Sequence, residues 1–295
     1  EKIVIVSRSR NIFENLALED WLYKNADLNN QSYLLMWKNT PAIVIGRHQN
    51  PWYECDVNTV VKDDVDLARR NSGGGAVYHD EGNLNCSFLM ARKLYNRKKN
   101  LELVVDAVKS KWDVDLTINQ REDIILNGLY KVSGTAAKLG GDKSYHHFTL
   151  LVDVDKNNLS QYLQSPMTGV KTKATASVIS NVMNLNEADE DLTVDKVIKA
   201  ISGKFLHHQI SFSLFFKYFF CYFLLQIPKI ENVFPSEISF PGFTKILAEL
   251  KTFSWIFGKT PNFMISKSFV RDLDSKQCFC ELDILVEKGI IQDIR

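Results

Sequence analysis

The apolar residues of this chain change period repeatedly, and they do so without the regular strand–helix alternation of a parallel βαβ fold. Leu101, Val104, Val105, Val108 and Trp112 recur at i, i+3, i+4, i+7 and i+11, the spacing of one helix face. Val114, Leu116 and Ile118 follow at a spacing of two, the period of a strand. Ile124–Leu126 and residues 129–132 then flank Asn127-Gly128, the strongest short-range signal for a tight hairpin turn. Asn11-Ile12-Phe13-Glu14 has the form of a capping box and predicts a helix carrying Leu16, Leu18, Trp21 and Leu22. Residues 33–37 and Ala42–Ile45 read as strands broken by Thr40-Pro41, and Phe148, Leu150 and Val152 alternate with His147, Thr149 and Leu151 in another. Residues 193–205 read as an amphipathic helix, and 278–286 with Ile290–Ile294 as a hairpin turned at Lys288-Gly289. Such a mixture predicts an α/β or α+β fold: a mixed β-sheet with flanking helices, and no internal repeat.

Composition narrows the class. At 295 residues, with 45% hydrophobic and 24% charged content, the chain has room for one large domain or two medium ones with ample core. Its 36 basic and 35 acidic side chains nearly cancel, so no global field points to nucleic acid or an anionic membrane, and any basic site must be local. Cys55, Cys86, Cys221, Cys278 and Cys280 form no CxxC pair, which fits a reduced compartment better than a disulfide framework. The sequence opens at Glu1 without a signal or transit pattern, so a targeting segment is expected to have been removed or never included. Residues 212–225 are nearly all aromatic or aliphatic, broken by Ser213 and Lys217. They are too few for a membrane span, which needs ~20 apolar residues. A buried strand pair or helix competes with an apolar insertion at about 211–225, and the insertion is the reading preferred here.

Two stretches carry candidate chemistry. In Arg69-Arg70-Asn71-Ser72-Gly73-Gly74-Gly75-Ala76-Val77-Tyr78-His79-Asp80, three glycines let a ligand lie against the backbone, and Arg70 offers a planar fork of donors to an anion. A merely flexible turn explains the glycines equally well on these residues alone. No Gly-Lys-Ser/Thr follows, so the run is not a P-loop. In Tyr130-Lys131-Val132-Ser133-Gly134-Thr135-Ala136-Ala137-Lys138, Lys131 sits in the second arm of the predicted hairpin. A lysine there is ordinarily a solvated one. The small residues after it would let a ligand approach, and a fixed ammonium could hold a carboxylate and an adenylate phosphate. His146-His147 precedes a predicted strand with the side chains on opposite faces, and no third ligand at metal spacing accompanies it, so no metal site is expected. No Gly-x-Ser-x-Gly elbow is present and Cys86 has no activating pattern, which points to positioning and electrostatics rather than a side-chain nucleophile.

Four segments together resemble the lipoate–protein ligase A family in order and spacing. They are Gly46-Arg47-His48-Gln49-Asn50-Pro51-Trp52-Tyr53-Glu54-Cys55, the 69–80 run, Lys131-Val132-Ser133-Gly134-Thr135-Ala136, and His146-His147-Phe148-Thr149-Leu150-Leu151. The resemblance spans about 1–185 and extends to Trp255-Ile256-Phe257-Gly258-Lys259-Thr260-Pro261; its animal mitochondrial lipoyltransferases look most similar. It implies a biotin/lipoate–protein ligase-like large domain with a mixed sheet, and a small C-terminal domain largely missing here. Residues 1–260 would form the catalytic domain, interrupted by the insertion at about 211–225, and 261–295 the strand-rich end of the same domain, the chain stopping at Arg295 where the second domain would begin.

The implied activity is acyl transfer. A lipoyl group would pass from lipoyl-AMP, or from a lipoylated carrier such as the glycine-cleavage carrier protein, to a lysine of the lipoyl domains of 2-oxoacid dehydrogenase E2 subunits. The alternatives are a ligase that activates lipoate with ATP and Mg²⁺, and a non-catalytic relative that binds lipoyl-adenylate or an acceptor domain. The resemblance makes Lys131 the catalytic residue and lines a lipoyl-AMP pocket with Arg70, Gly75, Ala76, Val77, Tyr78, Arg121, Lys131, Thr149, Thr175 and Ser177. It further implies no tightly bound cofactor, lipoyl-AMP as substrate, ATP and Mg²⁺ only for a ligase, a monomer in the mitochondrial matrix, and no nucleic-acid or membrane partner.

Overall fold

The structure, a computed structural model, describes residues 1–207, 229–273 and 276–295; the apolar run 212–225 lies outside the described residues. In chain order the elements are β1 (Lys2–Ser7), α1 (Ile12–Asn25), β2 (Ser32–Trp37), β3 (Ala42–Ile45), α2 (Pro51–Glu54), α3 (Val57–Lys62), β4 (Asp66–Arg69), β5 (Val77–His79) and β6 (Asn83–Ala91). They continue with α4 (Arg97–Lys109), β7 (Leu116–Ile118), β8 (Ile124–Leu126), β9 (Tyr130–Lys131), β10 (Ser133–Gly140), β11 (Lys143–Leu151), α5 (Lys156–Tyr162) and β12 (Val170–Thr172). After these come α6 (Val194–His207), β13 (Lys229–Val233), α7 (Phe243–Leu250), α8 (Phe253–Ile256), β14 (Phe263–Leu273), β15 (Lys276–Glu287) and β16 (Ile290–Ile294).

The chain forms two compact units, each assembled from three segments. The first comprises residues 1–40, 80–155 and 179–246, and the second 41–79, 156–178 and 247–295. Residues 261–295, expected at the end of one domain running from residue 1, therefore group with 247–260 and with the glycine-run segment.

The first unit is built on the expected mixed sheet, in the order β10-β11-β6-β2-β1-β13. β1 runs parallel to β2 and β13, while β2–β6, β6–β11 and β11–β10 are antiparallel. Val4, Val6, Leu34, Met36, Phe88 and Phe148 face one core, into which α4 sends Leu101, Val104 and Val108 and α6 sends Val197, Ile201 and Phe205. Each such side chain fully buried contributes ~1.5–3 kcal/mol. The helical period over 101–112 holds up to Val108; the helix stops at Lys109, and Trp112 follows it with its indole N–H donating to Asp191 (3.1 Å).

Local signals explain the ends of these elements. The Asn11 side chain accepts from the N–H groups of Phe13 and Glu14 and starts α1 as expected. The return arm of the predicted box runs instead through Ser9, whose oxygen accepts from the Asn11 N–H while its hydroxyl donates to Glu14. At Asn127-Gly128 both residues take positive φ (54° and 67°), and the Leu129 N–H closes onto Leu126 O, so β8 and β9 pair.

The second unit holds the three-stranded sheet β4-β3-β5 and the four-stranded sheet β12-β14-β15-β16. Lys288 and Gly289, with φ of 49° and 76°, turn β15 into β16 at the expected place. Among the described residues Cys55, Cys86 and Cys280 are free thiols, and no helix is long and apolar enough to cross a membrane.

Candidate active site

The expected site residues fall into one group in each unit. In the second, the chain leaves β4 at Arg69, passes through the three glycines and enters β5 at Val77, with β3 lying between these strands. The glycines are not equivalent. Gly74 takes φ +88°, where a side chain is strained. A Cβ on Gly75 would lie 3.0 Å from Ser177 Oγ, whereas one on Gly73 would meet nothing within 4 Å. A Cβ on Gly46 would sit 2.1 Å from the Gly74 carbonyl oxygen, closer than the contact at Gly75, so a steric demand of this loop also lies outside the triplet.

The two adjacent arginines shape this loop. Arg70 donates through Nη1 to Val44 O (3.0 Å), and through Nη2 to Gly73 O (2.6 Å) and Gly75 O (2.8 Å). Its expected task is to meet an anion; the structure shows its fork folding the glycine run around itself. Arg69 is 0% exposed. It donates through Nε to Ile256 O (2.8 Å), through Nη1 to the carbonyls of Gly46 (3.2 Å), Arg47 (3.0 Å) and Gln49 (2.8 Å), and through Nη2 to Thr260 Oγ1 (2.8 Å). Burial, and then the nearby Arg47, push its pKa down to about 10. The Arg69 carbonyl accepts from the Trp255 indole (2.7 Å), so this side chain and its backbone tie 46–49 to the Trp255–Thr260 stretch.

Ser177 closes onto the glycine run. Its Oγ accepts from the Ala76 N–H (2.8 Å) and from Gln49 Nε2 (3.1 Å), and its hydroxyl donates to the Glu54 carboxylate. Its own N–H also donates to Glu54, at 3.2 Å to Oε2. Thr175 is exposed, its N–H donating to His48 O (3.2 Å) and its carbonyl accepting from Gln49 (3.3 Å). Val77 pairs with Val44 across β5 and β3, and buried Tyr78 lies against the Tyr162 ring with centroids 5.8 Å apart. Burial raises the Glu54 pKa, opposed by its hydrogen bonds from Ser177 and Gln49. Burial also pushes the neighbouring Cys55 thiol up to about 12, which leaves it inert.

In the first unit, Lys131 Nζ lies 2.9 Å from Asp123 Oδ1. Its backbone N–H donates to Asn181 O (2.9 Å) and its carbonyl accepts from Met183 N–H (3.4 Å), so the backbone that carries the ammonium is held on both sides. Arg121 is exposed in the turn before Asp123, where Asn119 Oδ1 accepts from the N–H groups of Arg121 and Asp123. Ser133 Oγ accepts from Ile124 N–H (2.8 Å), and buried Thr149 Oγ1 accepts from Gly134 N–H (3.0 Å), joining β11 to the start of β10.

His146 and His147 lie within β11 rather than before a strand, because the alternation starts earlier than the aliphatic residues reveal. They point to opposite faces as expected. His147 Nδ1 is 2.8 Å from the buried Glu19 carboxylate, and His146 Nδ1 is 3.2 Å from Asn100 Nδ2. Burial, with smaller effects of Arg97 and His147, pushes the His146 pKa down to about 3. Burial pushes the Cys86 thiol up, which agrees with the absence of an activating pattern around it.

Among the described residues, no group of three His, Cys, Asp or Glu side chains is arranged to hold a metal ion. A cleft of about 700 Å³ runs along α6 beside the end of α4; it is lined by Lys111, Trp112, Asp191 and Lys199 among others, and by none of the expected site residues. Sequence reading missed Asp123, Glu19 and Arg69 as partners. It quoted Gln49 and Glu54 as part of a motif without giving them a task. The signal for Glu54 is Asn50-Pro51, a cap and first-turn proline that start a single helical turn ending at Glu54.

Comparison with known proteins places the chain in one family. The model of the lipoyl protein ligase A/B catalytic domain matches residues 11–206. The human mitochondrial lipoyl amidotransferase is 41% identical over 272 residues, which cover 90% of this chain and 68% of the relative. The mouse protein of the same name is 37% identical over 290 residues, covering 97% and 72%. Among solved structures, that of a Plasmodium falciparum protein in complex with lipoate aligns with a TM-score of 0.72 at 28% identity, covering 100% of this chain and 84% of that one. A lipoate–protein ligase A structure with bound ATP shares the fold at a TM-score of 0.65 and 22% identity, covering 86% and 98%. This chain therefore belongs to the lipoyl protein ligase A/B family.

Proposed function

We propose that this protein transfers a lipoyl group from lipoyl-AMP, or from a lipoylated carrier protein, to a lysine of an acceptor lipoyl domain. The class is that of an acyltransferase, in line with relatives named lipoyl amidotransferase. The observation that carries the reading is the catalytic-domain match over 11–206, which contains every residue from Arg70 to Ser177 assigned to the site. With lipoyl-AMP as donor, the acceptor amine attacks the carbonyl of the mixed anhydride. A new C–N bond forms, the acyl C–O bond breaks, AMP leaves and the amine gives up a proton. The part assigned to Lys131 is to stabilise charge on the carbonyl oxygen and the departing phosphate. Gly75, Ala76, Val77, Tyr78, Thr175 and Ser177 are assigned to the adenylate, with Arg70 organising their loop and Arg121 and Thr149 as further contacts. Holding the donor in one orientation supplies much of the remaining rate.

The acceptors this chemistry fits are lipoyl domains of 2-oxoacid dehydrogenase E2 subunits, with the glycine-cleavage carrier protein as a donor. The relatives named as mitochondrial support the same compartment for this protein, and the matrix is the proposed location. A second reading, a ligase that first activates lipoate with ATP, has its own support: a relative named lipoate–protein ligase A from Blochmanniella floridana is 36% identical over 88% of this chain. Mass spectrometry separates the two. An acceptor domain is incubated with the protein and lipoyl-AMP, and in parallel with lipoate, ATP and Mg²⁺. A gain of one lipoyl mass in the first mixture alone identifies a transferase, and in both a ligase. No gain above the protein-free control in either mixture overturns the enzymatic reading.

A further inference from the structure

We propose that Glu54 is a positioning residue for acyl transfer: its buried carboxylate orients the Ser177 hydroxyl and so fastens residues 173–178 against Gly75 and Ala76. The inference rests on the reading of Gly75–Tyr78 and Ser177 as the adenylate side of the site.

Glu54 is 6% exposed, at the end of the single turn α2. Burying a carboxylate is costly unless its oxygens are satisfied. Among the described residues, Glu54 is satisfied by the hydroxyl and N–H of Ser177 and by Gln49 rather than by a cation. An apolar residue or glutamine would fill the same space at less cost, so the charge calls for a task.

Accounting for the Ser177 hydroxyl supplies one. A hydroxyl has one hydrogen to give and two lone pairs to offer. Both lone pairs are occupied, by the Ala76 N–H and the Gln49 amide, which leaves the hydrogen for Glu54. An ionised carboxylate accepts only, so it fixes the direction of that hydrogen and keeps the lone pairs turned toward Ala76 and Gln49. Gln49, fully buried, is itself held by the Gly46 N–H on its Oε1 (2.9 Å). The Thr175 N–H adds a bond to His48 O. The 173–178 segment is thus anchored to 48–54 at three places, and the Glu54 carboxylate receives both polar hydrogens of Ser177. Ser177 lies 123 residues from Glu54 in sequence, so no local fold requirement explains their pairing.

The test measures acyl transfer from lipoyl-AMP to an acceptor domain with the wild-type chain, Glu54→Ala, Glu54→Gln, Ser177→Ala and the Glu54→Ala/Ser177→Ala double variant. Each single alanine variant is expected to raise KM for lipoyl-AMP about tenfold, the value of one charge-assisted hydrogen bond, with kcat within about twofold. The double variant should be no worse than the weaker single, because both remove the same fastening. Glu54→Gln, which keeps an acceptor for the Ser177 N–H but can also donate and so no longer fixes the hydroxyl hydrogen, should recover only part of the loss. A purely structural role would lower melting temperature and active fraction, and hence apparent kcat, without moving KM. A normal KM in Glu54→Ala, or additive losses in the double variant, overturns the proposal. If Ser177→Ala alone raises KM, the assignment of Ser177 survives that failure. If neither variant moves KM while Lys131→Ala abolishes transfer, the adenylate assignment of Ser177 falls with it. Should Glu54→Ala be insoluble, Glu54→Gln combined with Ser177→Ala carries the same comparison.

Discussion

The Lys131 ammonium lies 2.9 Å from the Asp123 carboxylate, and both side chains are largely withdrawn from water. Asp123 immediately precedes β8 and Lys131 ends β9, so the hairpin turned at Asn127-Gly128 brings the two charges together. The turn chemistry thereby sets where the ammonium stands. Lys131→Ala is expected to lower acyl transfer by ~10²–10³, the usual loss for one preorganised donor. Circular dichroism should stay unchanged, because the backbone bonds that hold this strand to Asn181 and Met183 do not involve the lysine side chain. Near-normal transfer by a folded variant would remove Lys131 from the mechanism.

The glycine run makes a graded prediction. Gly73→Ala should leave stability and lipoyl-AMP binding close to wild type, since its Cβ meets open space. Gly75→Val should weaken lipoyl-AMP binding more than it lowers the melting temperature. Its Cβ would lie 3.0 Å from Ser177 Oγ and push that side chain off the Ala76 N–H. Ligand affinity and melting temperature, measured side by side on both variants, decide. If Gly75→Val unfolds the protein while its remaining folded fraction binds normally, the glycines serve the turn alone.

Arg69→Met tests what the sequence concealed. Removing the guanidinium leaves the carbonyls of Ile256, Gly46, Arg47 and Gln49 without these donors in a buried place. Unsatisfied buried groups cost ~1–3 kcal/mol each, so the loss should exceed ~3 kcal/mol in chemical denaturation. Arg69→Lys should recover only part of it, because an ammonium has three hydrogens in another geometry. A loss below ~1 kcal/mol, no more than the average for point substitutions of any kind, would show that water replaces these bonds.

These cases show which features a single sequence exposes. Elements whose signal is local were legible: the Asn11 cap, the helical face from Leu101 to Val108, and the turns at Asn127-Gly128 and Lys288-Gly289. The mixed sheet followed from the irregular order of periods, yet its parallel β1 pairings depend on contacts that no local pattern encodes. Arg69 and Arg70 look alike in sequence. Their partners come from residues up to 191 positions away, so nothing local says that one binds Thr260 and the other wraps the glycines. The strand at His146-His147 was started too late because polar residues hid its alternation, although both rings are buried and hydrogen-bonded to Asn100 and Glu19.

The His146 ring gives a prediction about acid stability. Asn100 Nδ2 meets its Nδ1, which places the ring proton on Nε2 and leaves the imidazole neutral in the first unit's core. Its folded pKa is depressed to about 3 from 6.5, chiefly by burial. Between those values the unfolded chain takes up a proton that the folded protein refuses. The stability contributed is fully present above pH 6.5 and is lost as pH falls toward about 3. The slope approaches ~1.4 kcal/mol per pH unit inside that window. His146→Gln keeps an acceptor for Asn100 but cannot titrate. Chemical denaturation at pH 6.5 and pH 5 should therefore show the wild type losing ~1.6 kcal/mol more than His146→Gln over that interval. Parallel losses in the two proteins would mean that the folded His146 titrates near its ordinary value and that water reaches the ring.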